Sequence, residues 1–291
     1  MKNLFSVSGK TAVITGGSSG IGAMMARGFL EGGAKVYITA RKVERLMKAQ
    51  EELSQYGDVT AIPGDMSTVE GIEAFVVALS EKEEHIDILI NNAGANWVAP
   101  IDQFPEQGWD KIMDINLKSI FFMTQKCLPL LSKGTKEDPA RVINTASIHG
   151  LSNPGMPAYA YSASKSGVIH LTGHLATDLA RKNINVNGIA PGFFPSDMTK
   201  ELTNNEQMRT MALSRIPRGR MGSPEDIAGT AIYLSSRASA WVCGHVVTLD
   251  GGMVAATSRT RASTCSPISV TTPPSTMETA MHRARLPLKW L

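Results

Sequence analysis

From residue 11 onward, short β-branched and apolar runs alternate with longer stretches in which apolar positions recur every three or four residues. Strands buried on both faces read as near-continuous apolar runs, and the helices that cover them carry an amphipathic period of about 3.6 residues. The pattern predicts strands at Thr11–Thr15, Lys35–Thr39, Val59–Ile62, Asp87–Ile90, Arg141–Thr145, Asn185–Ile189 and His245–Leu249, with helices over 20–31, 43–55, 68–83, 107–132, 158–182 and 224–236. Ser67 or Thr68 precedes the third helix as a cap, and Ser223-Pro224-Glu225-Asp226 opens the last with an N-cap, a first-turn proline and early acids. Strands and helices in strict alternation, joined by right-handed crossovers, imply an α/β fold: a doubly wound parallel sheet of seven strands with helices on both faces. Ligands then belong at the carboxyl ends of the strands.

The alternation breaks twice. Residues 192–222 mix Pro, Gly, Met and polar residues and read as a lid over a substrate, whereas 254–291 hold 16 Ser, Thr or Pro among 38 positions with no sustained period, a composition that predicts disorder. One catalytic domain over 1–253 followed by a tail is therefore expected. The chain of 291 residues, 43% hydrophobic, suffices for one large core. Its net charge of +3 comes from the tail, which carries five basic residues against Glu278, leaving 24 basic and 25 acidic side chains in the body. That balance offers no footprint for nucleic acid or an anionic membrane and favours a small-molecule substrate. Cys127, Cys243 and Cys265 are scattered, as reduced cytoplasmic thiols are. No leader or membrane span is expected, because no apolar run reaches about 18 residues.

Behind the first strand stands Thr15-Gly16-Gly17-Ser18-Ser19-Gly20-Ile21-Gly22, leading into a helix. Glycines at 16, 20 and 22 let backbone N–H groups approach a pyrophosphate at the positive end of the helix, which is dinucleotide chemistry. A ribose with a free 2′-hydroxyl is normally held by an acid at the end of the second strand, but here Tyr37-Ile38-Thr39-Ala40 runs into Arg41. Arg41 can pair bidentately with a 2′-phosphate, which points to NADP(H); a solvated arginine at a helix start is the alternative. Asp65 could accept from the adenine amino group or cap the next helix.

Tyr161 and Lys165, at i and i+4, share a helix face. A phenol titrates near 10, and bringing it into use near pH 7 requires roughly 4 kcal/mol of differential stabilisation, which an adjacent ammonium and a nicotinamide's positive charge can supply. Ser147, just past the fifth strand, would meet the same substrate oxygen, and the Asn116 amide would hold a water feeding the lysine. His149 could reach the substrate or be a polar loop residue. Phe193, Phe194, Met198, Met211, Met221 and Trp97 are pocket wall or packing. His170 and His174 have the spacing of a zinc pair but lack the glutamate of a hydrolytic site, and no metal is expected.

Taken together, the TGGSSGIG of Thr15–Gly22, Asn91-Asn92-Ala93-Gly94, Asn116, Ser147, Tyr161-Ser162-Ala163-Ser164-Lys165, Pro191-Gly192 and Asp250-Gly251-Gly252 resemble the classical short-chain dehydrogenase/reductase family over roughly Gly9–Met253. The resemblance implies a Rossmann-type sheet and catalytic Asn116, Ser147, Tyr161 and Lys165, with Lys165 also on the nicotinamide ribose. It implies that Asn92, Ala93 and Gly94 support the adenosine side and that Pro191, Gly192 and Ser196 border the nicotinamide. It adds Ser18, Ser19, Ile21, Met66 and Phe194 to the cofactor contacts, and it implies a homodimer or homotetramer packed through the long helices. Two departures stand out. Many NADP-dependent relatives have a basic residue where this chain has Ser19, leaving Arg41 as the 2′-phosphate anchor, and the chain runs 38 residues past Met253. Within the family it most resembles 3-oxoacyl-acyl-carrier-protein reductases of the rhamnolipid-pathway type, in Asn92–Trp97, Pro139–Asn144 and Phe194–Thr199. Reduction of a ketone on an acyl or polyketide-like substrate is thus expected, with Arg215, Arg218 and Arg220 as a basic surface for an acyl carrier protein or simply a solvated loop. A dehydrogenase of secondary alcohols, sugars or steroids and a nucleotide-binding scaffold without turnover are the alternatives.

Overall fold

The computed structural model describes residues 3–153, 155–196, 199 and 205–256. Seven strands, β1 (Thr11–Thr15), β2 (Lys35–Thr39), β3 (Val59–Ala61), β4 (Ile88–Asn91), β5 (Ala140–Thr145), β6 (Ile184–Pro191) and β7 (Val246–Leu249), form one sheet in the order β3-β2-β1-β4-β5-β6-β7. Every pairing is parallel. The crossover helices are α1 (Gly20–Glu31), α2 (Val43–Ser54), α3 (Val69–Ser80), α4 (Glu106–Met113), α5 (Ser119–Cys127), α6 (Tyr159–Leu179) and α8 (Pro224–Ser235), with α7 (Glu206–Ser214) set between β6 and α8.

Alternate residues of each strand feed opposite cores, because successive side chains on a strand point to opposite faces. Ala12, Ile14, Val36, Ile38, Ile88 and Ile90 pack with Met25 and Phe29 of α1, Leu46 of α2 and Ile227 of α8. Val13, Leu89, Val142 and Val186 pack instead with Phe75 of α3, Met123 of α5 and Leu179 of α6. Gly28 lets α1 and α8 touch: a Cβ there would stand 2.4 Å from that of Ala228.

Both expected start signals are present. Thr68 Oγ1 accepts from Gly71 N at 3.0 Å, and the Asp226 carboxylate reaches back to Ser223 N at 2.8 Å. The helix expected over 107–132 is interrupted: a π turn at Asp114–Lys118 separates α4 from α5. Period reading sees one apolar stripe across this region and cannot register a single inserted residue. Helix α7 lies inside the stretch expected to be an irregular lid; Asn205 caps it by accepting from Gln207 N and Met208 N. Of the tail, Val254–Ala256 continue a helical turn begun at Met253; the disorder expected further on, and Cys265, fall outside the described residues.

The chain runs β1–β2–β3 outward in one direction and β4–β7 in the other. The carboxyl ends of β1 and β4 therefore flank a crevice where the connections diverge, the usual ligand position of an open parallel sheet.

Candidate active site

At the end of β1 the chain turns into α1 through two glycines of positive φ, Gly16 (+67°) and Gly20 (+52°). A side chain at Gly16 would press on the backbone of Ala93, 3.0 Å away. Asn92 fastens this turn to β4, since its Nδ2 donates to Thr15 O (3.0 Å) while Asn92 N and Ala93 N both donate to Thr15 Oγ1 (2.9 Å). Above the turn lies a cavity of about 280 Å³ lined by Gly16, Ser18–Gly22, Asn92–Gly94, Thr145–His149, Tyr161, Lys165 and Pro191–Phe194, with Ser196 and Thr199 at one side. No carboxylate is among its described lining residues, which include a single lysine, Lys165, and no arginine.

Helix α6 brings Tyr161 and Lys165 into this cavity one turn apart, with Lys165 Nζ 5.7 Å from the centre of the Tyr161 ring. Ser147 arrives from the end of β5. Tyr159 is excluded: it is exposed and packs edge-on against Phe104. Burial pushes the Tyr161 phenol above its ordinary value, with the Ser147 hydroxyl acting in the opposite direction. Burial dominates, so the phenol of the free protein stays protonated and is a proton donor.

Burial lowers Lys165 to about 8. Its Nζ donates to Thr145 O at 2.6 Å, leaving two of an ammonium's three donors for a ligand. The depressed value has a consequence for stability. Below pH 8 the folded protein carries the full cost of a buried ammonium, and that cost disappears between pH 8 and 10.5 as the folded-state lysine is neutral while the unfolded one is still charged. Wild type should therefore gain about 3 kcal/mol relative to a Lys165→Met variant over that interval. Denaturant titrations at pH 7.5 and 10.5 check this; parallel shifts would show the lysine is not held near 8.

Asn116 has a different task from the one expected. Its Nδ2 donates to Ala95 O (3.0 Å) and Ser164 Oγ (3.1 Å) and its Oδ1 accepts from Ala95 N (2.9 Å), so both amide protons are spent on protein. The π turn delivers this fully buried side chain as a staple between the β4 loop and α6, and Ser164 Oγ carries the link on to Tyr161 O at 2.8 Å. Both amide N–H groups of Asn116 are thus unavailable to the expected water, and the side chain serves as a positioning contact.

Arg41, Asp65 and Met66 lie outside the cavity lining. Arg41 Nε stands 3.9 Å from Asp65, both side chains half-exposed, and Asp65 also accepts from Ser67 N and Oγ, tying the loop before α3, whose cap is Thr68 rather than Asp65. Met66 is buried in the core. Trp97 is packing: a Cβ on Gly108 would meet its ring at 2.9 Å, and Lys111 Nζ lies 5.4 Å from it. Phe193 and Phe194 do line the cavity, Met211 is exposed, Met221 is half-buried, and Met198 is outside the described residues. His170 and His174 lie edge to face on the exposed side of α6. Arg220 is bound to Asp226 at 2.6 and 3.0 Å, and Arg218 lines a smaller neighbouring hollow.

Asn96, Met156 and Thr199 were missed in the sequence. Thr199 Oγ1 donates to Phe194 O at 2.6 Å and accepts from Ser196 N at 2.9 Å, which shapes the turn after β6. Its hydroxyl five residues after Phe194 was the available signal, one that many loops share.

Comparison with known proteins agrees with this geometry. A family model described as enoyl-(acyl carrier protein) reductase matches residues 16–254. The rhamnolipids biosynthesis 3-oxoacyl-[acyl-carrier-protein] reductase of Pseudomonas aeruginosa is 45% identical over 253 residues, covering 87% of this chain and 99% of that protein. The 5-keto-D-gluconate 5-reductase of Escherichia coli is 37% identical over 258 residues, covering 88% and 100%. Among solved structures, the Pseudomonas aeruginosa RhlG/NADP active-site complex superposes with a TM-score of 0.85 at 45% identity, over 87% of this chain and 100% of that one.

Proposed function

The chain belongs to the short-chain dehydrogenase/reductase family, and from that premise we propose that it is an NADPH-dependent ketoreductase acting on a 3-oxoacyl or polyketide-like substrate. The observation that carries the reading is the convergence of Tyr161, Ser147 and Lys165 in one cavity above a glycine turn. Two features fit a dinucleotide there: positive-φ glycines that bare the backbone at a helix N-terminus, and a buried ammonium with donors to spare. Gly16, Ser18, Ser19, Gly20, Ile21 and Gly22 would hold the pyrophosphate, Arg41 the 2′-phosphate and Lys165 the nicotinamide ribose. Asn92, Ala93 and Gly94 would lie along the adenosine side, and Pro191, Gly192, Phe194 and Ser196 along the nicotinamide.

When bound, NADPH supplies the hydride. Tyr161, kept protonated by burial, gives its phenolic proton to the substrate oxygen. The Ser147 hydroxyl donates a hydrogen bond to that oxygen as negative charge grows on it. Lys165, held by Thr145 O, places positive charge beneath the phenol and favours the phenolate left behind.

The cavity walls favour an acyl substrate. Ile148, Met156, Phe193 and Phe194 are apolar, and no arginine or free lysine among the described lining residues waits for the carboxylate of a sugar acid. The identity to a 5-keto-D-gluconate reductase keeps keto-sugar acids as the second reading. Following NADPH absorbance with 3-oxoacyl thioesters of increasing length, 5-ketogluconate and simple ketones decides between them. We expect kcat/KM on a thioester to exceed that on the sugar acid at least about tenfold; turnover confined to sugar acids would reject the acyl reading.

The Arg41–Asp65 pair is long and exposed, so it costs little to open toward a phosphate. Arg41→Ala should weaken NADPH binding about tenfold or more and leave NADH binding nearly unchanged in a fluorescence titration; equal losses would remove the 2′-phosphate assignment. An acyl-carrier partner, cytoplasmic residence and a homodimer or homotetramer belong to the same proposal. What supports self-association is exposed apolar surface, Phe121 on α5 and Trp241, 99% exposed, shortly before the half-open strand β7. Among the described residues, no helix is long and apolar enough to cross a membrane.

A further inference from the structure

We propose that His149 hydrogen-bonds a second oxygen of the substrate, one carried near the reacting ketone, and so selects two-oxygen ketones over simple ones. This deepens the acyl reading and rests on it.

His149 follows Ser147 by two residues on a short 3₁₀ turn, with Ser147 Oγ accepting from His149 N at 3.2 Å. The backbone thus fixes the imidazole relative to the group that holds the ketone oxygen. Its ring meets Tyr161 edge to face with centroids 5.3 Å apart, and both rings line the cavity. Nδ1 is engaged by Ser162 Oγ at 3.3 Å, on the same helical turn as Tyr161, which prevents the ring from flipping and leaves Nε2 for a ligand. Burial lowers the imidazole below its ordinary value, so it is neutral at pH 7 and above. In the tautomer in which the Ser162 hydroxyl donates to Nδ1, the Nε2–H is available to donate a hydrogen bond to a carbonyl oxygen.

The spacing suits a β-dicarbonyl. Two oxygens on carbons separated by one methylene lie a few ångströms apart, and the Tyr161 and His149 rings, with centroids 5.3 Å apart, line the same cavity. One oxygen reaches Tyr161 and Ser147 and the other reaches His149, while the remaining chain runs toward Met156 and Phe193. A simple ketone offers the Nε2–H no second oxygen and so forgoes that hydrogen bond.

The test compares wild type, His149→Leu and His149→Gln on a 3-oxoacyl N-acetylcysteamine thioester and on the 2-alkanone of matching length, with NADPH binding followed by fluorescence. We expect His149→Leu to raise KM for the thioester at least about tenfold relative to the change seen for the alkanone, with kcat affected less than KM. His149→Gln, whose amide can still donate, should restore part of the discrimination. Equal changes on both substrates, or a fall in kcat with KM constant, would overturn the assignment. Weakened NADPH binding in both variants would also overturn it, by showing that the ring supports the cofactor turn. Wild type that reduces neither thioester nor alkanone but does reduce 5-ketogluconate would fail the acyl reading instead, an outcome distinct from loss of His149 selectivity.

Discussion

Tyr161→Phe should leave fold and nucleotide affinity intact and reduce ketone reduction by about 10³-fold. Removing one hydroxyl deletes the proton donor while the ring still fills its place against His149. A positioned general acid typically contributes 10²–10⁴-fold, and nothing else described in the cavity replaces it: Ser147 and a neutral His149 can donate hydrogen bonds but are far too weak as acids to give up a proton, and Lys165 lies beneath the ring. The loss should fall on kcat, because the ground state loses little. Single-turnover oxidation of bound NADPH, with a parallel fluorescence titration, separates this from a binding defect. Undiminished turnover would mean that the proton comes from elsewhere.

Gly22→Ala should have a comparably large effect by a different route. A Cβ at Gly22 would stand 2.3 Å from Gly16 O and 2.6 Å from Asn92 Nδ2, so α1 cannot keep its place on the turn. Neither neighbour can give way, since Gly16 O is backbone and Asn92 is already tied to Thr15. NADPH affinity should fall by about two orders of magnitude, with a loss of stability of about 1–3 kcal/mol, the range for overpacking a close contact. Gly173→Ala provides the contrast. It also lies within a helix, but nothing stands within 4 Å of its added methyl, so removing the flexible residue should stabilise the protein by up to about 1 kcal/mol. Thermal melts of the two variants, and nucleotide binding by the first, check the pair. A Gly22→Ala protein that binds NADPH normally would show the turn to be looser than described.

The strands and the position of the site were legible because they depend on local, periodic information. Thr11–Thr15 and Lys35–Thr39 were read to the residue, since an apolar run bounded by turn residues admits few other conformations when both faces are covered. The i,i+4 spacing of Tyr161 and Lys165 sets their common face through helix geometry alone, and the glycine pattern behind β1 marks the phosphate turn for the same reason. Helix α7 was not legible. Its Asn205 cap is a clear start signal, but the Met- and polar-rich stretch behind it shows no stripe, and the helix buries none of its residues fully.

By itself, then, the sequence determined the order of elements, the sheet they build and the meeting of Tyr161 and Lys165 on one helix face, because each follows from spacing along one chain. Only the tertiary structure decided what those side chains can do. Asn116 became a staple because Ala95 and Ser164, 21 and 48 residues away, arrive at its amide. The phenol stays protonated, and the lysine is lowered, because packing from distant segments removes water from both. His149 came to line the cavity beside Tyr161 through the juxtaposition of β5 and α6. Burial and close approach are sums over neighbours remote in sequence, and no local pattern encodes that sum.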